Sequence, residues 1–206
     1  MKTNEIIEIL DRILPNAKCS LNYNYDYELL IATVLSAQCT DERVNKVTPI
    51  LFEKYDIYKL AQADIEDIKR IITPCGNMNK KSVYIKDIAA SLVKNYNGKV
   101  PNNREYLESL PGVGRKTTNV VLSNIHDVPA IAVDTHVSRV SIRLGLAKKN
   151  DDVLTIEKKL MKRFPKNRWT KLHDQLLLFG RHTCKSQNPL CNNCPLAKYC
   201  KYNKCI

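Results

Sequence analysis

The sequence predicts an all-α protein, and three observations carry that prediction. Apolar residues recur at helical spacing along nearly the whole chain. Helix-start residues precede most of these runs, and glycine or asparagine closes several of them. No segment alternates apolar and polar residues long enough to propose a sheet. At 206 residues the chain can form one sizeable domain or two small ones, and it holds no low-complexity tract or internal repeat.

The elements follow in order. MKTNEIIEILDRILP carries Glu5, Glu8 and Asp11 among its apolar residues, so it reads as a helix and lacks the unbroken apolar run of a signal peptide. Nothing later approaches a membrane span, which points to a cytoplasmic protein. DYELLIATVLSAQ, with Asp26 as N-cap, is apolar almost all round and reads as a buried helix. In TDERVNKVTPILFEKY, Thr40 or Asp41 is the cap, and Val44, Val47 and Leu51 share one face. Asp64 caps a short helix bearing Ile65, Ile68 and Ile72 that ends near TPCG. KKSVYIKDIAASLVKNYNG is the next helix, stopped by Asn97-Gly98. NREYLESL, PGVGR and KTTNVVLSNI then give a helix, a tight turn and a second helix. DTHVSRVSIRLGL starts at Asp134, turns Val137, Val140 and Leu144 inward, and ends near Gly145. A last helix covers DQLLLFGRHTC.

Charge and cysteine content narrow the chemistry. Thirty-three Lys and Arg against 21 Asp and Glu give a formal charge of +12, spread along the chain rather than gathered in a tail. Such an excess favours a polyanionic partner, because each neutralised phosphate releases condensed counterions. Eight cysteines in a cytoplasmic chain argue for metal or thiol chemistry rather than disulfides. Cys19, Cys39 and Cys75 are scattered. Cys184, Cys191, Cys194 and Cys200 follow C-x6-C-x2-C-x5-C, and Cys205 falls outside that pattern as a free thiol. Four thiolates at this spacing can hold either a tetrahedral zinc ion or an iron–sulfur cluster.

The turn LPGVGRKTTNVVL is the most informative local stretch. It is not a nucleotide phosphate loop, since Arg115 separates Gly114 from Lys116 and Ser109 stands where the first glycine of that loop belongs. Gly112 and Gly114 allow backbone angles closed to other residues and a close approach of the main chain to a ligand. The following helix adds unpaired N–H groups and the positive end of its dipole. Together these make a site for a phosphate that is gripped without reading base sequence.

The hairpin with Lys116, the VDTHVSRV element with Asp134 and the cysteine spacing occur in that order. With ELLIATVLSAQCTDERVNKVTP they extend over nearly the whole chain, which closely resembles the endonuclease III family. Members are bifunctional DNA glycosylases and AP lyases of the helix-hairpin-helix superfamily. The resemblance implies two all-α domains with DNA and the active site in the groove between them. A six-helix domain over residues 19–130 would hold the helix-hairpin-helix at about 104–126. Residues 1–18 and 131–206 would form the other, ending in the cluster loop.

The same resemblance implies residue roles. Lys116 becomes the catalytic nucleophile, forming a Schiff base as the neutral amine. Arg115 and the positive helix start beside it favour that form. Asp134 becomes the second catalytic group, able to take a proton or to stabilise positive charge on the sugar while also capping its helix. His136 reads as a packing or hydrogen-bonding residue. Gln38 would fill the space left by a flipped nucleotide. A second wedge falls at CGNMNKK, where the family shows glycine, an apolar residue and an aromatic, and this chain has Gly76, Asn77 and Met78. Gly112, Gly114, Arg115 and Lys185 would contact the DNA backbone. Cys184, Cys191, Cys194 and Cys200 would hold a [4Fe–4S] cluster. The partner is double-stranded DNA with damaged bases or abasic sites, oxidised pyrimidines being the usual lesions, and the protein is expected to act as a monomer. Two rivals are a monofunctional adenine or mismatch glycosylase and a non-catalytic DNA-binding module stapled by zinc. The adenine enzyme lacks the lysine and uses an acid on the helix before Gln38, whereas Leu29 to Ala37 contains none.

Overall fold

The computed structural model describes residues 3–202, and among these every regular element is helical. The chain divides into two compact units, Cys19–Asp127 and Met1–Lys18 with Val128–Ile206.

In the first unit α2 (Asp26–Leu35) is buried from Tyr27 to Leu35. It touches α3 (Asp41–Lys54), α6 (Met78–Tyr96) and α8 (Arg115–Ile125). Leu29, Leu30, Ile31 and Leu35 are wholly buried, and each contributes roughly 1.5–3 kcal/mol by leaving water. The cap of α2 is Tyr25 rather than Asp26. Glu28 reaches back to the N–H groups of Asn24 (2.6 Å) and Tyr25 (3.3 Å), while Asp26 Oδ2 accepts from the distant Val100 N–H at 2.7 Å. The helix also stops at Leu35, three residues short of the predicted Gln38. Thr40 caps α3 by accepting from Arg43 N–H.

This unit holds seven α-helices, not six. The addition is α4 (Ile57–Gln62), which starts separately because Asp56 Oδ1 accepts from Lys59 N–H at 2.8 Å. Asp64 then caps α5 (Ile65–Ile72), accepting from Glu66 N–H at 3.0 Å. The hairpin is formed by α7 (Arg104–Ser109) and α8. Arg104 ties the two helices together, donating to Glu108 at 2.9 Å and to the buried Asn119 Oδ1 at 2.7 Å.

The two hairpin glycines differ. Gly112 has φ +73°, and a Cβ there would lie 2.6 Å from the ring of Tyr84. Gly114 is extended, at φ −108°, with nothing within 4 Å of an added Cβ. The expectation of special backbone angles therefore holds for Gly112 alone, and Gly114 is open space beside the helix start.

The second unit packs α1 (Thr3–Ile13), α9 (Thr135–Arg143), α10 (Val153–Arg163) and α11 (Trp169–His182) around Ile6, Leu10, Val140, Leu160, Leu176 and Phe179. Gly180 allows α11 to approach α9, since a Cβ would sit 3.0 Å from His136 Cβ. Burial opposes ionisation of Asp11, but hydrogen bonds from Arg168, Gln175 and Lys171 outweigh it and hold the carboxyl at about 2. Asp174 has no such support. It is 7% exposed, and burial raises its carboxyl to about 7.

Two outcomes follow from these contrasts. Gly112→Ala should destabilise by about 1–3 kcal/mol or more through the left-handed backbone and the Tyr84 contact, whereas Gly114→Ala should melt close to wild type; equal melting curves for the two variants would contradict this. For Asp174, the folded state keeps a proton that the unfolded chain releases above its ordinary range near 4, so stability falls as pH rises toward 7. Asp174→Asn should therefore raise the melting temperature at about pH 8 and raise it less at about pH 5, and a loss at the higher pH would refute the assignment.

Candidate functional site

Lys116 is the second residue of α8 and is half-buried, next to the exposed Arg115. The first helical hydrogen bond of α8 runs from Thr118 N–H to Gly114 O at 2.9 Å. The N–H groups of Arg115, Lys116 and Thr117 precede it and have no acceptor within the helix. Gly114 supplies no side chain to cap them. The local geometry is thus an open, positively polarised helix start with a lysine on its first turn.

Two exposed loops of the same unit carry the other residues singled out in the sequence. Gln38 lies in the turn after α2 with φ 56°, and Asn77 precedes α6 with φ 49°. Both are in the left-handed region and both are exposed. Met78 follows at the surface, its sulfur accepting from the Thr73 hydroxyl at 3.1 Å. The loops are joined by a residue that sequence reading missed. Lys81 is 3% exposed, and its ammonium donates to Leu35 O (2.8 Å), Ala37 O (2.8 Å) and Cys75 O (2.9 Å). Burial pushes its ammonium below the ordinary lysine range. Its partners lie up to 46 residues away, so the polar stretch NMNKK carries no local sign of the role.

In the other unit Asp134 caps α9, as its place in the sequence predicts. Its Oδ1 accepts from the N–H groups of His136 (2.9 Å) and Val137 (2.8 Å). His136 has the hydrogen-bonding role expected of it, with Nδ1 paired to Arg139 Nη2 at 3.1 Å. Burial lowers its imidazole below the ordinary range, which fits a neutral ring accepting from a guanidinium.

The cysteine loop is anchored to α9 by two arginines. Arg139 donates to Gly180 O (2.8 Å) and to Cys184 O (2.9 Å). Arg143 donates to Lys185 O (2.7 Å), Ser186 O (3.3 Å) and the sulfur of Cys184 (3.4 Å), and it stacks on Tyr202. Cys184, Cys191, Cys194 and Cys200 all line one cavity. Cys184, Cys194 and Cys200 are free thiols, whereas Cys191 is disulfide-bonded. Among the described residues, no three such ligands converge closely enough to hold a single metal ion. Lys185 is exposed on the loop, and Cys205 lies outside the described residues.

No helix of the described residues is long and apolar enough to cross a membrane. Residues 31–166 match the model of the HhH-GPD superfamily of base excision DNA repair proteins. Endonuclease III of Bacillus subtilis (strain 168) is 45% identical over 196 residues, covering 93% of this chain and 90% of its own. That of Synechocystis sp. (strain ATCC 27184 / PCC 6803 / Kazusa) is 44% identical over 201 residues, covering 97% and 91%. A solved structure of a trapped endonuclease III–DNA covalent intermediate superposes with a TM-score of 0.92 at 46% identity, covering 98% of this chain and 96% of that one. The chain belongs to the endonuclease III family within the HhH-GPD superfamily of base excision DNA repair proteins.

Proposed function

We propose that this protein is a base-excision DNA glycosylase with an associated AP lyase activity, acting on oxidised pyrimidines in double-stranded DNA in the cytoplasm. The observation that carries the reading is the placement of Lys116 on the first turn of α8, directly after a turn whose glycine adopts φ +73°. The N–H groups at that helix start, which have no acceptor within the helix, suit a phosphate, and the lysine follows within reach of the same strand. Likeness to an enzyme trapped covalently on DNA supports the same chemistry.

The reaction begins with the damaged nucleotide turned out of the duplex, at an energetic cost that is smaller for a poorly stacked lesion. The Lys116 amine attacks C1′ of the sugar, the bond to the base breaks and the base leaves with the electron pair. Loss of an amine proton and opening of the sugar give the protonated imine. Removal of a C2′ proton then lets the 3′ phosphate depart by β-elimination, which nicks the strand. Asp134 balances positive charge on the sugar or takes a proton during these steps. Its two capping bonds both fall on Oδ1, so the cap fixes the carboxylate while Oδ2 faces no hydrogen-bond donor among the described residues. A purely binding module would leave this lysine and carboxylate without a task, and a monofunctional enzyme would not need the lysine.

The cysteine loop suits a [4Fe–4S] cluster, because Cys184, Cys191, Cys194 and Cys200 keep the C-x6-C-x2-C-x5-C spacing that resembles the family's cluster site and line one cavity. Such a cluster cross-links the loop and fixes its shape when bound. Ligation by Cys191 requires its disulfide to be reduced, since only the thiolate binds iron. The exposed Lys185 then presents charge to a DNA backbone from a rigid loop.

Incubation with abasic or thymine-glycol duplex followed by borohydride should trap a covalent protein–DNA complex with wild type and none with Lys116→Ala; equal trapping would overturn the lyase assignment. Asp134→Asn keeps an N-cap residue but should lower base release by about 100-fold or more, and an unchanged rate would remove Asp134 from the chemistry. Protein purified under reducing conditions should contain about four iron and four acid-labile sulfide per chain, falling sharply in Cys191→Ser. Zinc alone would refute the cluster.

A further inference from the structure

We infer that Lys81 is a positioning residue for strand invasion: its ammonium holds the Gln38 and Asn77 loops in the register from which they enter the DNA gap. The inference rests on the gap-filling reading of those two loops and names what fixes them relative to each other.

The geometry is specific. An ammonium has three N–H donors, and all three are used on main-chain carbonyls, two from one loop and one from the other. Leu35 and Ala37 precede Gln38, and Cys75 precedes Gly76 and Asn77. The contacts are 2.8, 2.8 and 2.9 Å, and the side chain is 3% exposed, so the charge is satisfied by the backbone rather than by water. No carboxylate takes part in these bonds. A salt bridge would tie Lys81 to one side chain, whereas carbonyls tie it to the path of the chain itself. That path is the feature needing control, since Gln38 and Asn77 both sit in left-handed backbone at φ 56° and 49°. The loops are joined in sequence only through α3, α4 and α5, so nothing local sets their spacing.

The chemistry at Lys116 does not pass through Lys81. Removing the ammonium should therefore harm substrates that need the gap filled and spare those that do not. An abasic site in single-stranded DNA presents its sugar with no opposing base and no stack to hold open. In duplex DNA the nucleotide must be extruded and its place occupied.

Borohydride trapping rates on the same abasic oligonucleotide, single-stranded and in duplex, test this directly. Lys81→Met keeps most of the stem and removes the donors. It should slow duplex trapping by about tenfold or more while single-stranded trapping stays within about twofold, since small misplacements of positioning groups have effects of this size. An equal loss on both substrates, or no loss on either, would overturn the inference. Where Lys81→Met fails to fold, Lys81→Arg decides. Its planar fork keeps the charge but cannot point three donors at carbonyls around one atom, so it should lower the duplex to single-strand ratio, and an unchanged ratio would overturn the inference. Gln38→Ala and Asn77→Ala separate the underlying reading. If both leave duplex trapping intact, gap filling by these loops fails; if they slow it and the Lys81 variants do not, only the positioning role fails.

Discussion

An α-helix leaves its first N–H groups without helical acceptors, and a buried one must find them elsewhere. A chain of short helices meets this constraint at every start. Thr40, Asp56, Asp64, Asn103, Asp134 and Asp152 answer it with a side-chain oxygen. In α2 Glu28 reaches back to donors ahead of the helix. The starts of α6, α8 and α11 have no side-chain cap. Asn77 and Lys116 stand at the first two. A start left uncapped by side chains can take an external anion in place of a cap.

Much of this was readable in the sequence because caps and apolar periods act over a few residues. Thr40, Asp64 and Asp134 are caps in the structure as they are on paper, and Val137, Val140 and Leu144 are buried. The misreadings come from partners far along the chain. Asp26 looks like the cap of α2, yet one of its oxygens goes to Val100, across 74 residues. The sequence reading also passes over the six-residue α4 and the eleven-residue α10, although Asp56 and Asp152 cap them locally. Lys81 is the extreme case, a charged residue in a polar stretch whose burial depends wholly on two remote loops. Gly112 and Gly114 look alike in sequence, and only the neighbouring Tyr84 ring and the turn angle separate them.

The arginines of α9 show how one helix can serve two tasks. Its first residues are fixed by Asp134, and its later ones reach the cysteine loop through Arg139 and Arg143. Arg139 also bonds His136, so the N-terminal turn and the loop share one guanidinium within the same unit. Charge-assisted bonds to carbonyls are shorter and stronger than neutral ones. They hold Cys184 in place through its main chain, independently of what its sulfur binds. A cluster would add a second cross-link to a loop already seated, which is why thiol loss should be read first in iron content and only then in folding.

The departure at Asn77 has a physical reason once the backbone is known. At φ 49° a side chain crowds the following carbonyl, and asparagine tolerates that region better than a branched or bulky apolar residue. Met78, one position on, is free of that restriction because it begins α6. On the proposed gap-filling reading, the apolar part of the wedge falls to Met78 and Asn77 would offer hydrogen bonds to an exposed base edge. Gln38, at φ 56°, would bring a second amide under the same restraint. On that reading a pair of amides would hold a gap by pairing, which depends on the base it faces, whereas an apolar wedge works by unstacking. Discrimination at the opposite base is then the property on which this chain should differ most from relatives with an apolar residue at that position.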